Sequence, residues 1–250
     1  MNNLVFFPGF RIGVYSVFLW LGSATLPAVA DSVTDCHGTN PASVITGCTS
    51  LIDQSMLSGA ELAKAYYQRG IAFAISNKPQ LSAKDMSRVI ELTPLWAPGY
   101  YNRGLSYKNL GQTKKALSDY NKAIELDPQY SDAIGNRANI YSKTKQYVKA
   151  VDDYNRAKQL RPNDLNLFYN SAINYQAMGK HELAVSDLSR VLEINPGEFD
   201  GYIDRGVSYA KLQKFSEARS DFETALRLRP GNKIATTNLK RLGKRKTKVN

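Results

Sequence analysis

The chain has 250 residues, a formal net charge of +11 and 43% hydrophobic side chains. That length admits one or two domains, and the apolar content is ample for a packed helical stack. Two histidines and two cysteines are present, and no third ligand stands at a metal-site spacing beside Cys36 and His37, so neither a metal nor another cofactor is expected.

Residues 1–30 differ in kind from the rest. Arg11 is their one charged side chain, an apolar run follows from Ile12 to Leu21, and the stretch ends in Ala28-Val29-Ala30. This is the order of a basic region, a short apolar region and a small-x-small cleavage site. An apolar run of about ten residues is half of the roughly twenty that a membrane span needs. Residues 1–30 therefore read as a signal peptide, with an uncleaved anchor as the other reading, and the mature protein is expected in the periplasm or outside the cell.

Residues 31–62 read as an N-terminal cap. Cys36 and Cys48 are twelve positions apart. In an exported chain such a pair suggests a disulfide; buried free thiols are the alternative. Asn40-Pro41 has the form of a helix start, a capping side chain followed by proline in the first turn. The helix so begun carries Val44, Ile45, Cys48, Leu51 and Ile52 on one face, an unpaired half-repeat able to cover the next element.

From residue 63 a period takes over. Pro94, Pro128, Pro162, Pro196 and Pro230 stand 34 residues apart, and Asp85, Asp119, Asp153, Asp187 and Asp221 keep the same step. So do Tyr107, Tyr141, Tyr175 and Tyr209, with Phe73 ahead of them. Arg69, Arg103, Arg137 and Arg205 share another register, which Ser171 interrupts. Within one unit, Tyr100, Arg103, Gly104 and Tyr107 fall at i, i+3, i+4 and i+7, one stripe of a first helix. Ala116, Tyr120, Ala123 and Ile124 form the stripe of a second helix. Leu110-Gly111 ends the first helix, where glycine accepts a left-handed conformation, and Pro128 ends the second. Neither helix can bury its stripe alone, so stacked neighbours must close one core.

These residues resemble the tetratricopeptide repeat family, in the variant with Tyr-x-x-Arg-Gly in the first helix and Ala-x-x-Asp-Tyr in the second. The resemblance implies an all-α, right-handed superhelical solenoid of α-α repeats. Five repeats are expected, at 63–96, 97–130, 131–164, 165–198 and 199–232, the first matching least well. The segment from Cys36 to Ile52 resembles the N-terminal cap of secreted tetratricopeptide proteins of Gram-negative bacteria. Such solenoids present surface rather than perform chemistry, so no enzyme is expected and no residue is assigned as catalytic. The recurring acids and bases fit this: an active site is single, whereas Arg69 with Asp85, Arg103 with Asp119, Arg137 with Asp153 and Arg205 with Asp221 repeat. They read as ion pairs between packed helices, with a solvated face as the alternative. Asp187 faces Ser171, so the fourth repeat is expected to lack the pair and to be locally weaker.

In this family the sixth position of the first helix resembles a ligand-facing site on a concave surface. It holds Gln68, Asn102, Asn136, Asn170 and Asp204. Asn102, Asn136 and Asn170 resemble an asparagine ladder that grips extended peptides, because an amide donates and accepts at once and pairs with any peptide backbone. Each rung contributes about 1 kcal/mol net. Tyr67, Tyr101 and Tyr169 beside them would add apolar contact. Solvation of an exposed helix face is the plainer reading of the same asparagines. The clamp with which chaperone-binding members hold a terminal carboxylate is not matched, since the corresponding Tyr67, Ile71, Asn102, Asp132 and Asn136 include no cation.

Residues 233–250 form the last segment. Lys233, Lys240, Arg241, Lys244, Arg245, Lys246 and Lys248 give it +7 with no acid. Ile234 to Leu242 can form a capping helix, and beyond Gly243 a disordered basic tail is expected. Such a tail attracts anionic surfaces by charge alone; no aromatic side chains interleave with it, which speaks against a specific nucleic-acid site. The chain as a whole reads as an adaptor for an unidentified protein or peptide partner. The rival reading is an envelope-assembly component recruited through its tail or convex face.

Overall fold

Residues 26–246 are described by a computed structural model in which all secondary structure is helical, thirteen α-helices in succession. Residues 1–25 of the signal peptide expected over residues 1–30 lie outside the described residues, as do residues 247–250. Two compact units divide the chain, residues 1–133 and 134–250.

The first unit contains α1 (Leu26–Cys36), α2 (Pro41–Asp53), α3 (Gly59–Ile75), α4 (Pro79–Leu92), α5 (Ala97–Asn109) and α6 (Thr113–Leu126), and ends within α7 (Ser131–Lys143). Its helices pack as successive hairpins, α1 on α2, α3 on α4 and α5 on α6, with α2 on α3 and α4 on α5 joining them. The second unit contains the rest of α7, α8 (Tyr147–Leu160), α9 (Leu165–Ala177), α10 (His181–Ile194), α11 (Phe199–Lys211), α12 (Phe215–Leu228) and α13 (Lys233–Lys246). Here α9 pairs with α10 and α11 with α12, while α13 packs on both α12 and α11.

Two local devices punctuate every repeat. Between first and second helix, Asn77, Gly111, Lys145, Gly179 and Gln213 occupy one register and all adopt left-handed backbone, with φ from 55° to 72°. That conformation reverses the chain in a few residues, and only glycine adopts it without steric cost. At the end of the second helix, Thr93, Asp127, Arg161, Asn195 and Arg229 leave the helical conformation, with φ between −137° and −133°. Each precedes a proline, whose ring excludes helical backbone from the residue before it.

Close approach of the paired helices depends on small side chains. A Cβ on Gly104 would stand 2.7 Å from the Tyr120 ring, and one on Gly206 2.7 Å from the Phe222 ring. The core of the first unit includes Tyr67, Ile71, Met86 and Val89. In the second unit one cluster gathers Val151, Ala172, Tyr175, Ala184 and Leu188, and another Phe199, Ile203, Ala218, Phe222, Ala225, Ala235 and Leu242.

The termini differ from expectation. Asn40 caps α2 through its side-chain oxygen, which accepts from the Ala42 and Ser43 amides. Val44, Cys48 and Leu51 of α2 pack with Ala65 and Ala72 of α3, so α2 does cover the first repeat. It is not an unpaired half-repeat, however. The segment before it forms α1, which begins at Leu26 and runs through the expected cleavage site. The Cys36–Cys48 disulfide ties the end of α1 to the middle of α2. Gly47 lets them touch: a Cβ there would lie 2.6 Å from the Ser32 carbonyl oxygen and 2.7 Å from the Cys36 nitrogen. α3 starts at Gly59, a turn ahead of Ala63. At the other end, Asn232 accepts from the Ile234 and Ala235 amides and caps α13. That helix continues past Gly243 to Lys246, where the sequence had suggested disorder; leucines at 239 and 242 anchor it on the core of the last repeat.

Candidate functional site

The recurring arginines and aspartates form the seam inside each hairpin. Arg69 Nε and Nη2 donate to the two carboxylate oxygens of Asp85 at 2.8 and 2.9 Å. Arg103 with Asp119, Arg137 with Asp153 and Arg205 with Asp221 repeat this two-pronged geometry at 2.7–2.9 Å. All four carboxylates are buried. In three of the four the guanidinium lies over two rings, Arg69 by Tyr66 and Phe73, Arg103 by Tyr100 and Tyr107 and Arg205 by Tyr202 and Tyr209, while Arg137 lies over Tyr141, with Ile134 standing in the other place. Hydrogen bonding to its carboxylate and burial act in opposite senses on each arginine, and the net effect raises its pKa above the ordinary value. Because every prong has a partner, these pairs are scaffolding.

Asp187 departs from expectation. Ser171 leaves it without an arginine, yet it is not unpaired. Lys158, from the preceding second helix α8, donates to both Asp187 oxygens at 2.8 Å and to the Ser171 hydroxyl at 3.1 Å. Its ammonium sits over Phe168 and Tyr175, the two ring positions that flank Arg69, Arg103 and Arg205 in their repeats. The fourth repeat thus keeps its ion pair with a cation brought from another helix.

The sixth-position side chains mostly join one first helix to the one before it. In the first unit, Asn102 is buried, at 3% exposure, and its amide donates to the Tyr67 hydroxyl at 3.1 Å and the Pro98 carbonyl at 2.9 Å. Tyr67 and Tyr101 are also buried, Tyr101 against Tyr120 and Tyr130 with ring centroids 6.0 and 4.9 Å away. Burial pushes the phenols of Tyr67, Tyr120 and Tyr130 well above their ordinary range. The expectation that Asn102, Tyr67 and Tyr101 line a peptide-binding surface is therefore corrected: all three lie in the packed interior, where the amide satisfies a neighbouring phenol.

The second unit is more open. Asn136, Asn170 and Asp204 are half-buried, as is Tyr169. Asn170 donates to Asn139 Oδ1 at 3.3 Å, and the same oxygen accepts from the Tyr154 hydroxyl at 2.6 Å. Tyr169 donates to Asp204 Oδ2 at 2.7 Å. Burial raises the pKa of the Asp204 carboxyl and the Asp200 charge adds to this, against the opposing hydrogen bond from Tyr169. Gln176 completes the layer, donating to the Asp204 carbonyl and the Ser208 hydroxyl at 2.8 Å.

Sequence reasoning missed one feature of this unit, a cavity of about 450 Å³ between α11, α12 and α13. Val207, Ala210, Phe222 and Leu242 give it apolar walls, and Asn238, Lys211 and Arg241 its polar edge. The lysine and arginine are exposed and have no carboxylate partner among the described residues. The signal available was the loss of the 34-residue period after Pro230. Among the described residues no helix is long and apolar enough to cross a membrane, and no cluster of His, Cys, Asp or Glu could hold a metal ion.

Successive helical hairpins, each turned at the same left-handed position and closed by a buried ion pair, Arg–Asp in four repeats and Lys158–Asp187 in the remaining one, define a helical-repeat interaction scaffold. Sequence models described as tetratricopeptide repeat match residues 97–130, 131–164, 165–198 and 199–232, more than half of the chain. The chain belongs to the tetratricopeptide repeat family. Among solved structures it is similar to YrrB, described as a tetratricopeptide protein with an unusual peptide-binding site, at 21% identity and a TM-score of 0.67, over 77% of this chain and 97% of that one. It is also similar to MamA from Desulfovibrio magneticus, at 17% identity and a TM-score of 0.64, over 70% and 99% of the two chains. A third is the C-terminal part of a repeat protein from Cytophaga hutchinsonii, at 20% identity and 0.66, over 76% and 74%. At these identities the likeness is one of fold. No curated protein matches the sequence.

Proposed function

We propose that the chain is a non-enzymatic adaptor of the cell envelope, which holds an extended segment or helix of another protein along the first-helix face of its second unit. The observation that carries this reading is the contrast within one register: Asn102 is sealed in, whereas Asn136, Asn170 and Asp204 remain half-open. An amide with one edge fixed to its own fold and another facing water is oriented in advance for a peptide backbone. YrrB is described as having a peptide-binding site on this fold, which supports the same class of occupant. Export is supported by the Cys36–Cys48 disulfide, since such bonds persist in oxidising compartments.

Photo-crosslinking in the native compartment tests this. A crosslinkable residue at position 170 is expected to yield adducts with one partner, competed away by excess unlabelled chain. The control is position 193 on α10, where Glu193 is exposed; equal yields from both positions would sink the reading. A second reading, recruitment to an anionic surface through the tail, is favoured by Lys244, Arg245, Lys246 and Lys248, four cations with no acid among them beyond Gly243. A chain ending at Gly243 that loses its partner would support it instead.

A further inference from the structure

The cavity between α11, α12 and α13 has a chemical character that repeat packing does not require. Its volume of about 450 Å³ lies within the range of small-ligand sites, roughly 300–1,000 Å³. The floor is apolar, from Phe222 and Leu242, while Lys211 and Arg241 stand exposed at its edge without carboxylate partners among the described residues. Asn238 adds an amide to the wall, a group that donates and accepts together.

The face of α11 continues this arrangement. Asp200, Asp204, Val207 and Lys211 recur at i, i+4, i+7 and i+11 of one helix, hence on one side of it. Asp204 and Lys211 are about 10 Å apart along the axis at 1.5 Å per residue. The face is acidic at its start, apolar in its middle and basic at its end.

The geometry points to a site for one polarised peptide segment, with an apolar side chain in the cavity, carboxylates on Lys211 and Arg241, and a neutral or basic end lying toward Asp204 and Asp200. The inference rests on the adaptor reading and names the chemistry of its occupant. The segment beyond Gly243 is unsuited to the place, because its four cations with no acid, Lys244, Arg245, Lys246 and Lys248, would meet Lys211 and Arg241. A fatty acid would meet the apolar floor and the cations but leave Asn238 and the acidic half of α11 unused. Only a peptide answers all four features: cavity, cations, amide and distant carboxylates.

Fluorescence anisotropy with the full chain tests the assignment. The probe is a labelled synthetic peptide with two lysines at one end, a central phenylalanine and two glutamates at the other. Binding should weaken by about tenfold or more in the double variant Lys211→Glu, Arg241→Glu, whose exposed positions leave the fold intact by circular dichroism. Ala210→Trp, which fills the cavity without changing charge, should weaken it equally. A probe with lysines and glutamates interchanged should bind less well, and added salt should narrow that difference. Probe binding that is absent, or equal in all variants, overturns the inference. Dodecanoate bound with the same dependence on Lys211 and Arg241, with the peptide unbound, overturns the peptide assignment. Failure here with crosslinking from position 170 intact removes this site alone; loss of that crosslinking while the probe still binds removes the wider reading.

Discussion

Lys158 Nζ lies 2.8 Å from each carboxylate oxygen of Asp187, and so does for the fourth repeat what an arginine does for the others. Two departures from the period meet in this contact. Ser171 stands where the other repeats have arginine, and Lys158 stands where they have Ile124, Leu192 and Leu226. Each change alone would be costly, one leaving a buried carboxylate without a partner and the other burying an ammonium. Together they restore the charge balance, with the ammonium held between Phe168 and Tyr175.

Lys158→Leu should therefore destabilise the protein by about 3–5 kcal/mol, the cost of leaving one member of a buried pair alone. Lys158→Leu combined with Ser171→Arg should recover most of that loss, because it rebuilds the arrangement of the neighbouring repeats. Denaturant unfolding of the wild type, both single variants and the double variant measures the coupling. Simple additivity would show that Lys158 is not the partner on which Asp187 depends.

The period made the hairpins legible because it repeats what every unit needs: a turn residue, a proline, a small residue at the helix crossing, and an arginine sixteen positions ahead of an aspartate. Features that belong to one repeat were not legible in the same way. Nothing local to Asn102 reveals that its amide is spent on Tyr67, since the two are 35 residues apart and meet only when repeats stack. Lys158 reads as an exposed helix cation until α9 and α10 fold over it. α1 was hidden because its first turn coincides with the end of a leader-like segment. The cavity at α13 exists where the period stops, so no periodic signal marks it.

Asp204 gives a prediction in pH. Its carboxyl is raised above the ordinary range by burial first, with the Asp200 charge adding to it. The ionised form is thus disfavoured in the fold, and the advantage of the protonated form is fully present below the unfolded-state value and is lost as pH rises through the folded-state one. Asp204→Asn places there the amide found at the same register in three other repeats, and its Oδ1 can still accept from Tyr169. The variant should melt higher than wild type at neutral pH, and the gap should close as pH falls to about 4, where an ordinary aspartate protonates. A gap unchanged over that range would assign the effect to packing.

The left-handed turn residues give another. Lys145 and Gln213 adopt φ of 60° and 61° where Gly111 and Gly179 adopt 70° and 72°. A non-glycine residue in that region costs roughly 1–2 kcal/mol, while glycine gives back about 0.4–1 kcal/mol through the freer unfolded chain. Lys145→Gly and Gln213→Gly should each stabilise by up to about 1 kcal/mol by this balance, and Gly179→Ala should destabilise. Thermal melts of the three variants decide it; a fall in all three would mean that the lysine and glutamine side chains support their turns.

The N-terminal cap joins two effects that can be separated by mutation. Gly47→Ala forces a methyl group against the Ser32 carbonyl and the Cys36 nitrogen, both backbone and unable to rotate away, and such overpacking costs about 1–3 kcal/mol. Replacing both Cys36 and Cys48 by serine should cost about 3 kcal/mol in the chain-entropy model for so short a loop. The two should not add. With the disulfide intact α1 is held against the new methyl group, whereas without it α1 can move off α2 and relieve the clash. The triple variant is therefore expected to lose less stability than the sum, and protease cleavage within α1 should accelerate most when the disulfide is absent. Full additivity in unfolding experiments, with cleavage of α1 equally slow in every variant, would show that α1 is held by contacts other than Gly47 and the disulfide.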